Sequence, residues 1–224
     1  MAGQMVSFPS NGHRTEGYLA LPASGKGPGV IVIQEWWGLV PHIKELADRF
    51  AAAGYVALAP DLYHGQTTTE PDEAGKLMMA MKMDVAAKDM SGAYDYVKAH
   101  PACTGKVGSV GFCLGGGLSL FVSTLKPVDA CVIYYGALPG VQPDLSKIAG
   151  PVLGHYAEHD GWASPEAAAA LKQQLSDAGK RVEFHQYAGT EHAFFNDTRP
   201  EVYNAAASKL SWDRTLAFFK KNLA

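Results

Sequence analysis

Lys106-Val107-Gly108-Ser109-Val110-Gly111-Phe112-Cys113-Leu114-Gly115-Gly116-Gly117 decides how this chain folds. Lys106 to Val110 reads as a strand and Leu114 to Thr124 as a helix. Between them stand glycines two before and two after a cysteine, because a strand turning this sharply into a helix leaves no room for side chains there. The turn lifts the Cys113 sulfur above the carboxyl end of the strand. It also points the positive helix terminus at the sulfur and presents the Leu114 N–H to an oxyanion. A positive terminus favours the thiolate, the reactive form of the side chain. The stretch is therefore read as a nucleophile elbow. A P-loop is excluded, since no Gly-Lys-Ser/Thr follows the turn. A merely structural buried cysteine would leave the ordered strand, glycines and helix without a cause.

The same alternation of strand and helix extends along the chain. Val30 to Ile33, Val56 to Ala59, Val107 to Val110, Ala130 to Tyr134 and Val152 to Tyr156 are short apolar runs, as in strands buried on both faces. Helical segments are predicted at Pro41 to Ala53, Glu73 to Lys98, Leu114 to Thr124, Pro165 to Ala178 and Glu201 to Asn222. The pattern implies an α/β fold with a mostly parallel central sheet and helices on both faces. Met5 to Phe8 and Glu16 to Leu21 read as an opening antiparallel pair around the turn Ser10-Asn11-Gly12. Val182 to Tyr187 alternates, which places it nearer the sheet edge. No linker or repeat divides residues 1–224, so one domain is expected. Residues 70–90 hold five of the seven methionines, which fits either a lid over a pocket or a helix with a Met face in the core.

Composition narrows the function. A net charge of -3, from 19 basic and 22 acidic residues, offers no basic field for nucleic acid. No run approaches the roughly 20 apolar residues of a membrane span, and the first residues lack the order of a signal peptide. A cytoplasmic protein is expected, without nucleic-acid or membrane partners. Cys103, Cys113 and Cys131 are odd in number and contain no C-x-x-C, which fits a reducing compartment. His155 and His159 straddle a strand end rather than sharing a helix face. Neither a metal nor any other cofactor is expected.

Candidate partners for the thiol follow it in the sequence. Asp160 leaves the end of the strand at Val152 to Tyr156, and His192 leaves the end of the next strand. Both would stand at the carboxyl edge of the sheet, where such folds bind ligands. Nucleophile, acid and base in that chain order is the arrangement of α/β-hydrolases. Glu158, two residues before Asp160, is an alternative acid. Glu35 follows the strand at Val30 to Gln34, in the loop that supplies a second oxyanion N–H in that fold. A buried carboxylate there would have a raised pKa and could exchange a proton with the thiol.

Gln34-Glu35-Trp36-Trp37-Gly38, Pro60-Asp61-Leu62-Tyr63, Gly111-Phe112-Cys113-Leu114-Gly115-Gly116, Tyr134-Tyr135-Gly136 and Gly189-Thr190-Glu191-His192-Ala193-Phe194 resemble, in order, motifs of the dienelactone hydrolase (carboxymethylenebutenolidase) family. The resemblance implies Cys113 as nucleophile, His192 as base and Asp160 as its orienting acid, with Glu35 beside the resting thiol. It further implies an oxyanion hole from the Leu114 and Trp36 N–H groups, and a site role for Tyr134. The family's characterised members hold a substrate carboxylate with two arginines. Their positions fall at about Pro71 and at Asn196, and Arg199 lies close enough in sequence to substitute for one of them as a substrate-binding residue. Loss of a bidentate clamp shifts the expected substrate toward a less charged lactone or ester. The expected function is cysteine-dependent hydrolysis of such a small molecule by a monomer, with a dimer as the alternative state. A binding or sensing protein on a hydrolase scaffold is the competing function. A peroxide-sensing thiol is a third, but no resolving cysteine lies near in sequence.

Overall fold

The computed structural model describes residues 3–10, 12–138 and 140–224; Asn11 of the expected turn lies outside them. The chain forms two units, Met1–Ser109 and Val110–Ala224.

The first unit opens with β1 (Gln4–Ser10) and β2 (His13–Ala20), followed by β3 (Gly27–Ile33), α1 (Pro41–Ala52) and β4 (Val56–Pro60). Then come α2 (Pro71–Ala80), α3 (Met83–Ala99) and β5 (Cys103–Phe112), whose last residues enter the second unit. Strand order here is β1-β2-β4-β3-β5. β1 and β2 pair antiparallel, β2 meets β4 antiparallel, and β3 and β4 are parallel. Val30 to Ile33 and Val56 to Ala59 are fully buried, as their unbroken apolar runs predict. α1 has Pro41 in its first turn and buries a stripe of Ile43, Leu46, Ala47 and Phe50.

The single helix expected at Glu73 to Lys98 is two. The chain between them is extended at Met81 (φ -63°, ψ 119°) and at Lys82 (φ -82°, ψ 115°). The reason is phase: α2 buries only Ala74, whereas α3 buries a stripe that includes Ala86, Met90, Ala93 and Val97. From Ala74 to Ala86 a continuous helix would rotate about 120° away from registry, so one helix could not bury both.

The second unit holds α4 (Leu114–Leu125), β6 (Ala130–Tyr134), a 3-10 turn at Leu145–Lys147, β7 (Val152–His159), α5 (Pro165–Asp177), β8 (Val182–Glu191) and α6 (Ala205–Leu223). Its strand order is β5-β6-β7-β8, with β6, β7 and β8 parallel. β8 lies at the edge, as its alternation predicts. α5 is capped by Ser164, whose hydroxyl accepts from the Ala167 N–H at 3.2 Å. α6 starts later than predicted because the Asn204 side chain caps the Ala207 N–H at 3.0 Å. Ile133, Val152, Tyr156 and Leu175 form part of the core here. Among the described residues no helix is long and apolar enough to cross a membrane.

Candidate active site

Cys113, Asp160 and His192 all belong to the second unit. Cys113 caps α4 with φ 56° and ψ -120°, a conformation that costs energy for any residue with a β-carbon. The glycines around it explain how it is held. A β-carbon on Gly111 would lie 1.8 Å from the Gly115 carbonyl oxygen, and one on Gly116 would lie 2.7 Å from the Gly136 Cα. Only glycine lets the strand end, helix start and β6 exit approach so closely. The Cys113 N–H donates to the Tyr134 carbonyl at 3.1 Å, which fixes the turn to β6. Leu114 is the first residue of α4, so its N–H is one of the groups that a helix start leaves without an intrahelical acceptor.

Asp160 directly follows β7, and its carboxylate is held on both oxygens. Oδ1 accepts from the Trp162 and Ala163 N–H groups, each at 2.8 Å, while Oδ2 lies 2.8 Å from His192 Nδ1. Burial pushes the Asp160 pKa up, but the hydrogen bond and charge of His192 and the two N–H donors outweigh it, for a net lowering. Glu158, the alternative acid, is exposed and accepts from the Gly189 N–H at 2.7 Å. Burial alone would lower the His192 pKa. Hydrogen bonds to Asp160 and Cys113, with the charges of both, instead push it up to about 10. The ring is thus built to hold a proton between a carboxylate and a sulfur.

The Tyr135 ring packs edge-on against His192, at 5.1 Å and 63°. Its backbone is left-handed (φ 37°), and its N–H donates to the His155 carbonyl at 2.7 Å. Sequence reasoning passed over Tyr135, although it stands next to the tyrosine singled out. The structure directs the hydroxyl of that neighbour, Tyr134, away into the interior, 2.8 Å from Thr215 Oγ1. Thr215 in turn meets His155 Nε2 at 3.0 Å, and His155 Nδ1 lies 2.8 Å from the Tyr187 hydroxyl. Burial, with the charges of His185 and Arg214, holds His155 well below its ordinary pKa. It is a neutral member of a buried network.

The positions aligned with the family arginines have local tasks. Pro71 begins α2, and Asn196 Oδ1 accepts from the Thr198 N–H at 3.0 Å and hydroxyl at 2.6 Å. Both the Nε and the Nη2 of Arg199 lie 2.9 Å from Glu201 Oε1, so its fork is turned to a neighbour. A cavity of 490 Å³ in the second unit is lined by Leu120, Ile133, Val141, Tyr156 and Leu171, among others, and by none of Cys113, Asp160 and His192. In the first unit Glu35 is buried just beyond β3, and the Gln34 side chain accepts from the Leu62 N–H at 3.1 Å. Trp36 and Trp37 meet edge-on at 4.9 Å.

Comparison with known proteins agrees with this architecture. The chain is 40% identical to Protein usf of Aquifex pyrophilus, covering 99% of each. It is 31% identical to the carboxymethylenebutenolidase of Pseudomonas putida, covering 97% of this chain and 96% of that one. Among solved structures, a putative dienelactone hydrolase from Klebsiella pneumoniae superposes with a TM-score of 0.84 at 30% identity, covering 97% of this chain and 98% of that one. The profile of the Dienelactone hydrolase family matches residues 15–223, and the chain belongs to that family, within the α/β-hydrolases.

Proposed function

We propose that this protein hydrolyses lactones or small carboxylic esters through a thioester on Cys113. One observation carries the reading: a strained cysteine at a helix start is hydrogen-bonded to an imidazole whose other nitrogen is held at 2.8 Å by a buried carboxylate.

His192 takes the thiol proton, so sulfur attacks as thiolate. A carbon–sulfur bond forms, and the carbonyl electron pair moves onto oxygen, where the Leu114 N–H donates to it. Collapse breaks the carbon–oxygen bond, and the His192 imidazolium gives its proton to the leaving oxygen. Water, deprotonated by His192, then attacks the thioester and returns the sulfur. Asp160 holds the ring in the tautomer that this requires and stabilises its charge. The family resemblance adds the Trp36 N–H as a second donor to the oxyanion and Glu35 as an exchanger of the thiol proton. The preferred substrate lacks a free carboxylate, because Pro71 and Asn196 replace the paired arginines and Arg199 engages Glu201.

The test is multiple-turnover hydrolysis of a panel of lactones and aryl esters, with and without a free carboxylate. Wild type should turn over the uncharged members, and Cys113→Ala should lose turnover while keeping its circular dichroism. Turnover by Cys113→Ala would remove the thiol from the mechanism. Saturable binding by wild type without turnover would replace the hydrolase with a binding protein.

A further inference from the structure

Three side chains that no linear spacing connects meet in the first unit. His13 begins β2, His64 lies in the loop after β4, and Asp89 sits in α3. His13 Nε2 is 2.8 Å from Asp89 Oδ1, and His64 Nε2 is 3.2 Å from Asp89 Oδ2. One ligand atom from each of the three lies within 4.8 Å of the others.

Each group is held in place by its surroundings. Gly92, one turn beyond Asp89, would put a β-carbon 2.4 Å from the Pro9 carbonyl oxygen, so only glycine lets α3 press against the end of β1. That contact carries Asp89 to the hairpin, where the Ser10 hydroxyl donates to Oδ1 at 2.5 Å and the Thr15 hydroxyl donates to the same oxygen. His64 is held at φ 51°, a left-handed conformation. The Asp61 carboxylate braces its loop, accepting from the Tyr63 N–H at 3.1 Å and the Gly65 N–H at 2.6 Å.

A second observation points to a ligand. Asp89 is fully buried, yet its Oδ2 receives no hydrogen bond among the described residues, although it faces His64. Three donors crowd the other oxygen. A buried carboxylate oxygen without a donor is costly, and a cation shared with His64 would satisfy it.

We propose that His13, His64 and Asp89 form a binding site for a divalent transition-metal ion of the zinc type. Two imidazole nitrogens and one carboxylate oxygen suit zinc better than magnesium or calcium, which prefer oxygen ligands. Tetrahedral bonds of that kind place neighbouring ligand atoms about 3.3 Å apart. The His64–Oδ2 distance already matches, and the three ligand atoms lie within 4.8 Å of one another. The side chains of His13 and His64 are 37% and 45% exposed, so an ion can enter from solvent and keep water as its fourth ligand. Ser10 and Thr15 orient the carboxylate from behind, as outer partners of metal ligands commonly do. The bound ion would pin the β1–β2 hairpin, the loop after β4 and α3 to one another. None of the three ligands is Cys113, Asp160 or His192.

The test uses the full chain without an affinity tag, stripped with chelator and titrated with Co2+. One equivalent should give the visible bands of tetrahedral nitrogen and oxygen ligation, with no thiolate-to-metal charge-transfer band. Zn2+ should abolish the bands by competition and raise the unfolding midpoint of wild type. His64→Ala and His13→Ala, checked for folding by circular dichroism, should each weaken binding by at least about tenfold and lose most of the zinc-dependent shift. The proposal is overturned if wild type gives no bands. Bands that persist in both histidine variants, or that carry a thiolate charge-transfer component, overturn it equally.

Discussion

Two buried aspartates in this protein each face histidine, and they are built in opposite ways. Asp160 takes two backbone N–H groups from its own loop on one oxygen and a single imidazole on the other. Asp89 gathers three side-chain donors on one oxygen and leaves the other facing His64 without a hydrogen bond. The first is anchored locally and serves one partner. The second is assembled from four segments of the first unit and is incomplete. A fully satisfied carboxylate is suited to orienting an imidazole, whereas a partly satisfied one has capacity left for a ligand.

The largest effect is expected at Asp160. Asp160→Asn should lower turnover by about ten-thousandfold while the circular dichroism stays that of the wild type, since the two backbone N–H donors can still meet the remaining carbonyl oxygen. A loss below tenfold would show that the carboxylate is not orienting the base. Asp89→Ala should act on the fold instead. Removing the acceptor leaves the buried Ser10 and Thr15 hydroxyls without their partner and should cost about 2–3 kcal/mol in denaturant unfolding. No loss of stability would mean that water replaces the carboxylate there.

The raised His192 pKa sharpens the contrast further. In Cys113→Ala the histidine loses a hydrogen bond and a charge that hold its proton, so its pKa, followed by NMR, should fall from about 10 while Asp160 keeps it elevated. An unchanged value would assign the whole shift to Asp160. Because this folded-state pKa lies above the ordinary 6.5, its contribution to stability is complete below pH 6.5 and disappears as pH rises through about 10. Asp160→Asn should therefore flatten the decline of stability over that window. The smallest effect is expected at His13→Ala, about 0.5 kcal/mol without added metal, because its side chain is 37% exposed.

What could be read in the sequence follows the same division. The elbow, the strand that presents Asp160 and the strand that presents His192 are each local patterns of a few residues, and each element forms, although β7 runs on to His159 and β8 to Glu191 where ends at Tyr156 and Tyr187 were expected. Asp160 could be placed because it follows a strand end directly. Glu158, the alternative acid, lies inside β7 and is exposed, a distinction that the linear pattern does not carry. The break between α2 and α3 carries no proline or glycine, and only the change in buried face accounts for it. Tyr135 escaped notice because adjacent tyrosines look alike until the backbone turns one ring toward His192 and sends the other's hydroxyl to Thr215. The Asp89 cluster was not legible at all. Residues 13, 64 and 89 are joined by sheet register and by the close approach at Gly92, neither of which leaves a periodic trace.

The close glycine contacts at the elbow have a consequence for exchangeability. The position of residue 113 is imposed by Gly111 against Gly115 and by Gly116 against Gly136, contacts in which the sulfur takes no part. The backbone is a socket that would present a hydroxyl in nearly the same place as a thiol. A Cys113→Ser exchange would therefore keep the turn, and its consequence would be set by the proton affinity of the neighbouring imidazole rather than by shape.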